Sequence, residues 1–185
     1  MKSIYVGAGH SNTDSGAVTY RTENGVKVQY TEAKLMSRLR NIVSFVLREH
    51  GIPHTVDGTG LTNENLNTSI AKAKQADIAI ELHLNAASPA AKGVEVLTSP
   101  DKKEQAQRIA RAIARVLNHP LRGEQGYKPE NSGQHSRLGF VSQGKGMVVE
   151  CFFLTNEKEL SDYLATEWTV GRAIADELIL IAKGI

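Results

Sequence analysis

The sequence predicts an α/β fold: one domain built on a mainly parallel twisted sheet flanked by helices. Short β-branched apolar runs bounded by Gly, Asp or Pro read as buried strands. Amphipathic helical patterns lie between them, which is the order of a parallel sheet. The ends of the runs add a third observation. Residues 3–9 (SIYVGAG) run into His10, 77–82 (DIAIEL) into His83 and 147–149 (MVV) into Glu150. In an open parallel sheet ligands bind beyond the carboxyl ends of the strands, so these three residues meet at one edge.

The elements follow in order. After the first strand, residues 10–25 are rich in Gly, Ser, Asn, Asp and Thr and read as a loop, with room for a short extended piece at 18–20. Thr31 precedes a helix whose Leu35, Met36, Leu39, Ile42, Val43, Val46 and Leu47 form one apolar stripe, and Gly51 closes it. Residues 52–56 (IPHTV) make a second strand, with the proline at its start. A polar helix over 63–76 leads into the His83 strand, and 93–97 (GVEVL) is the next strand. Ser99, Pro100 and Asp101 announce a helix that buries Ala106, Ile109, Ala110, Ile113, Val116 and Leu117. Residues 118–136 read as a long polar surface loop, and 137–141 and 146–150 as the last strands. Asn156 with Glu159 opens a C-terminal helix in the manner of a capping box.

Composition excludes several classes. A chain of 185 residues with 41% apolar residues supports one real core and is short for two. A net charge of +2 is too small to argue for nucleic acid, and no apolar run approaches a membrane span. No apolar segment with a small-residue cleavage site precedes the first strand, so the expectation is synthesis in the cytoplasm without a signal peptide. Cys151 is the only cysteine, which excludes an internal disulfide and a thiolate metal cluster. Neighbouring strand residues face opposite ways, so if Glu150 faces the site Cys151 packs away from it as a structural thiol.

Glu32 sits in the first turn of the first long helix. Such an acid usually just favours the helix dipole, but helix N-termini lie at the same edge as strand C-termini in a parallel unit. Glu32 therefore reaches the crevice of His10 and His83. Two imidazoles and one carboxylate with an open fourth position make a catalytic zinc site, and Glu150 is suited to act as general base. Glu81 shares a strand face with His83 and is a candidate to hold its imidazole. Asn85 is a candidate substrate contact, as is Glu81, and Glu95 is a rival ligand. His50 reads as structural, His54 faces either way, and His119 and His135 at most touch substrate. The Gly7-x-Gly9 pair lacks the rest of a dinucleotide or P-loop fingerprint, and no His-Glu-x-x-His is present.

At these residues the chain resembles the zinc-dependent N-acetylmuramoyl-L-alanine amidases of the amidase_3 type, in particular the catalytic domains of phage endolysins. The likeness is spread over Gly9-His10, Asp14-Ser15-Gly16-Ala17, Glu32, residues 81–86 (ELHLNA), 93–96 (GVEV) and 149–156 (VECFFLTN), in the family's order. The resemblance implies zinc bound by His10, Glu32 and His83, with Glu150 catalytic. It implies hydrolysis of the amide between N-acetylmuramic acid and L-alanine in peptidoglycan, that is, cell-wall lysis. Residues 1–185 would then be one catalytic domain without a separate wall-binding domain. A holin-type partner would give it access to the wall after release. Two rival readings are a zinc peptidase acting on stem peptides and a non-catalytic wall-binding module. The family commonly has a serine where this chain has Glu81, and an arginine of the following helix is missing from residues 63–71.

Overall fold

The computed structural model describes residues 1–11, 13–132 and 137–185. Its centre is a six-stranded sheet built from β1 (Ile4–Ala8), β4 (His54–Val56), β5 (Ile78–Asn85), β6 (Glu95–Thr98), β7 (Tyr127–Pro129) and β8 (Met147–Phe153). The strand order is β4-β1-β5-β8-β6-β7. β4, β1, β5 and β8 run parallel, while β6 lies antiparallel to β8 and β7 parallel to β6. The sheet is thus mainly parallel, as the alternation of strands and helices implies. The reversal at β6 has a simple cause: residues 86–94 between β5 and β6 contain no helix, and a parallel return needs a crossover of a dozen or more residues.

One face of the sheet is covered by α1 (Glu32–Glu49), α3 (Lys103–Leu117) and α5 (Glu157–Lys183). The main core lies here, with Val6, Ile80, Leu82 and Val149 meeting Leu39, Ile113, Ile174 and Leu178. α5, about 40 Å long at 1.5 Å per residue, crosses α1 at Gly171, where an added Cβ would stand 2.4 Å from Cγ2 of Ile42. Among the described residues, the other face carries only α2 (Leu66–Ala73) and the short α4 (Gly139–Ser142) over a small cluster of Tyr5, Ile70, Ala79, Phe140 and Val148. Its upper end is left open, which makes room for a cleft. No helix among the described residues is long and apolar enough to cross a membrane.

Four sequence expectations change. Residues 10–25 are not all loop: β2 (Val18–Glu23) and β3 (Val26–Thr31) pair as an antiparallel hairpin. Its turn is Asn24-Gly25, both at positive φ, the backbone that matches strand twist in a two-residue connection. The expected strand at 137–141 is instead α4, because a run as short as Leu-Gly-Phe-Val does not by itself distinguish strand from helix. The polar stretch 118–136 holds the edge strand β7, anchored by buried Tyr127. Ser99 makes no side-chain cap, and a 3₁₀ turn precedes α3. Thr31 and Asn156 do cap α1 and α5, accepting from the amides of Lys34 and Glu159.

Candidate metal centre and cleft

β1 delivers His10 past two glycines, and His10 itself takes the left-handed conformation (φ 67°). A non-glycine residue there is uncommon and marks a functional constraint worth explaining. The surroundings over-determine the turn. Asp57 accepts the Ala8 amide at 2.8 Å, and the Asn63 side chain donates to the carbonyls of Ala8 and His10 at 3.3 and 3.1 Å. Fully buried Arg40 ties the two together, donating to Asp57 at 2.7 Å and to Asn63. Gly9 approaches so closely that its Cβ would stand 2.2 Å from the His83 ring; at Gly16 (φ 63°) one would meet His10 and Glu32. The two glycines are the walls against which the imidazoles rest.

Glu32, the first residue of α1, is 3% exposed and uses both carboxylate oxygens twice. Oε1 accepts the Leu84 amide at 2.9 Å and lies 2.9 Å from His83 Nδ1. Oε2 accepts the Ala17 amide at 2.9 Å and lies 3.2 Å from His10 Nε2. The two rings meet edge to face at 5.3 Å between centroids. Burial pushes the Glu32 carboxyl up, but hydrogen bonds from His10 and His83 overcome it and hold the group well below the usual carboxylate range. The hydrogen bond to Glu32 raises His10. Burial lowers His83, yet Glu32 and Glu81 together lift it well above its ordinary value.

The outer nitrogens of both rings are also held. His10 Nδ1 meets Asp14 at 2.9 Å, and His83 Nε2 meets Glu81 at 3.0 Å. Glu81 in turn accepts from Ser69 at 3.0 Å, whose hydroxyl meets the Tyr5 phenol at 2.7 Å. A carboxylate on the far nitrogen fixes the tautomer and orientation of a metal-binding imidazole. Here it turns His10 Nε2 and His83 Nδ1 toward Glu32, and one donor atom from each of the three residues lies within 4.8 Å of the others. The residues fit a divalent cation with nitrogen and oxygen ligands.

Glu150 is the register neighbour of His83 on β8 and is 6% exposed. Its Oε2 has no hydrogen-bond partner among the described residues. Burial pushes its carboxyl up to about 7, against the lowering effect of His83. An unpartnered carboxyl near neutrality at the floor of a cleft is suited to proton transfer. The cleft, about 480 Å³, joins His10, Glu32, His83 and Glu150 to an apolar end at Leu66, Leu138 and Phe140.

The structure therefore brings together all four residues of the expected site. Glu81 has both oxygens engaged, by Ser69 and His83, and so holds the ring. Asn85 lines the cleft and donates to Glu95 at 3.1 Å. Glu95 is not a rival ligand, because Arg122 at 2.5 Å and Lys128 at 2.8 Å occupy it; they hold it below its ordinary value against the opposing effect of burial. Cys151 is buried on the opposite face, and burial pushes its thiol up. His50 bonds the Val46 carbonyl, His54 bonds Ser44 and the Ile52 carbonyl, and His119 lies between Glu159 and Asp162. His135 lies outside the described residues. The Arg40–Asp57–Asn63 support was not anticipated, since nothing local to those residues in the sequence links them to the site.

Comparison with known proteins bears on the family and the fold. Residues 4–179 match the family described as N-acetylmuramoyl-L-alanine amidase. A crystal structure from Neisseria meningitidis, provisionally named an N-acetylmuramoyl-L-alanine amidase, is 42% identical with a TM-score of 0.85, covering 99% of this chain and 96% of that one. The catalytic domain of the amidase CwlV from Bacillus (Paenibacillus) polymyxa is 19% identical with a TM-score of 0.73, covering 99% of each chain, and shares the fold. The protein YqiI of Bacillus subtilis is 29% identical over 171 residues, 90% of this chain and 76% of that protein.

Proposed function

The chain belongs to the N-acetylmuramoyl-L-alanine amidase family, and from that premise we propose that it hydrolyses, with zinc, the amide between the lactyl group of N-acetylmuramic acid and L-alanine in peptidoglycan. The observation that carries the zinc reading is the convergence of His10 Nε2, His83 Nδ1 and the Glu32 carboxylate at one sheet edge. His10, Glu32 and His83 would hold the ion, and Asp14 and Glu81 would keep both rings turned to it. When bound, zinc supplies Lewis acidity at the scissile carbonyl and charge stabilisation for the oxyanion.

The remaining chemistry belongs to the chain. Glu150, kept out of bulk water and near neutrality, takes the proton of the attacking water and delivers it to the leaving L-alanine nitrogen. The cleft walls at Leu66, Leu138 and Phe140 exclude water from the reacting amide and offer an apolar surface to the substrate. We further propose an endolysin-type lytic role with access to the wall through a holin-type partner; its support is the family motif in residues 9–17, 81–86 and 149–156.

Digestion of purified wall tests the assignment. Release of new L-alanine amino termini, abolished by a chelator and restored by zinc, is the expected outcome. Cuts within the stem would instead identify a peptidase. Wall binding with no cleavage under any metal condition would leave a binding module.

A further inference from the structure

We propose that Arg122 and Lys128, docked on the buried carboxylate of Glu95, form a subsite for a carboxylate carried on the peptide side of the scissile amide. The inference rests on the amidase reading above and deepens it.

Placement follows from the sheet. His83, Glu150 and Glu95 sit side by side on β5, β8 and β6 in direct register, and β7 with Lys128 lies one strand further out. Paired strands are about 4.8 Å apart, so Glu95 stands two strand widths, roughly 10 Å, from His83. An extended peptide advances roughly 3.5 Å per residue. A substrate whose amide lies at the His10–Glu32–His83 edge and whose peptide crosses β8 brings its next residues over Glu95. Asn85 connects the two regions: it lines the cleft and donates to Glu95 Oε1 at 3.1 Å.

The charge at this end differs from that of the centre. Glu32, Glu81 and Glu150 crowd the metal edge, whereas here two cations share one carboxylate oxygen, Arg122 Nε at 2.5 Å and Lys128 Nζ at 2.8 Å from Glu95 Oε2. One cation would neutralise Glu95; the second leaves an excess of positive charge. The guanidinium is held but not used up. Its Nε meets Glu95, its Nη1 meets the Lys92 carbonyl at 3.2 Å, and Nη2 has no protein acceptor among the described residues. It rests 4.8 Å from the centre of the Phe153 ring, and its side chain is 36% exposed. A guanidinium fixed on two sides with an open edge is preorganised for a further carboxylate.

Two synthetic muramoyl-L-alanyl peptides test this. Both are extended through the γ-carboxyl of an acidic second residue and blocked at the C-terminus; one has a free α-carboxylate on that residue and the other its carboxamide. The zinc-loaded protein should favour the carboxylate by about tenfold in kcat/KM, the scale of a hydrogen bond to a charged group. Arg122→Gln should bring that ratio close to one, and Lys128→Met should lower it, which serves as a second reading if the first variant folds poorly. A parent ratio near one overturns the subsite alone, as does a variant that slows both substrates equally and leaves the ratio intact. Cleavage of neither substrate overturns the subsite and the amidase reading together.

Discussion

Glu32 and Glu150 are both buried carboxylates at the same edge, and their surroundings suit them to different work. Glu32 accepts two backbone amides and faces two imidazoles, which favours its charged form. Glu150 has an unpartnered oxygen and is lifted to about 7 by burial. Glu32→Ala should therefore lose metal and activity together. Glu150→Gln should keep the metal, as read by metal analysis, while kcat falls by roughly two to four orders of magnitude with little change in KM. Loss of zinc from Glu150→Gln would make Glu150 a ligand and sink the division of roles. A pH dependence follows as well. The Glu150 pKa rises from 4.5 unfolded to about 7 folded, so between these values the folded state keeps a proton that the unfolded state has released. Stability from this group is present below the lower value and is lost as pH rises through the upper one. Glutamine mimics the protonated form. Metal-free Glu150→Gln should therefore gain on its parent at about pH 8 relative to about pH 5, by up to about 3 kcal/mol in urea titrations. An equal difference at both pH values would refute it. The convergence of the four candidate residues was legible because each ends an apolar run or opens a helix at the same edge. Their supports, Asp57 and Arg40, were not: a buried ion pair between residues far apart in sequence has no local pattern.

At the level of elements, the site depends on how β1 ends, and that is fixed from α1 and the segment after β4. Arg40 and Asp57 are 0% and 1% exposed, and Asp57 holds the Ala8 amide. Removing one partner leaves a buried charge uncompensated, a loss of about 3–5 kcal/mol. Arg40→Met should lower the urea midpoint accordingly with an unchanged m-value. Arg40→Met combined with Asp57→Asn should recover part of the loss, because the stranded charge is gone. A single-variant cost below about 1 kcal/mol would show that the pair contributes nothing net. Helices α1, α3 and α5 were readable from their apolar stripes and end residues. The hairpin β2–β3 has a strong turn signal in Asn24-Gly25, but the polar faces of both strands hide the alternation around it, as nearly every residue there is at least partly exposed. α4 and β7 are not legible in the sequence because each rests on one or two apolar residues, too few to carry a period.

At the scale of the whole molecule, the parallel core β4-β1-β5-β8 was legible, whereas the reversal at β6 depends on a missing crossover helix, an absence that an apolar run does not advertise. The sheet gathers the candidate ligands from three separate places in the chain: the end of β1, the start of α1 and the end of β5. The unfolded chain has no such site, so the proposed metal binding would be coupled to folding. One zinc per chain is expected, and at about a hundred times its Kd it should add about 2.7 kcal/mol to stability. For a domain of this size that corresponds to a rise in Tm of roughly 5–10 °C. Glu150→Gln should show the same rise, because its oxygen is not among the converging donors. Glu32→Ala should not, and neither should a protein lacking both His10 and His83. Thermal melts of the metal-free proteins with added zinc read this without any substrate. A comparable rise in the double histidine variant would place the zinc elsewhere in the molecule and end the proposal for this edge.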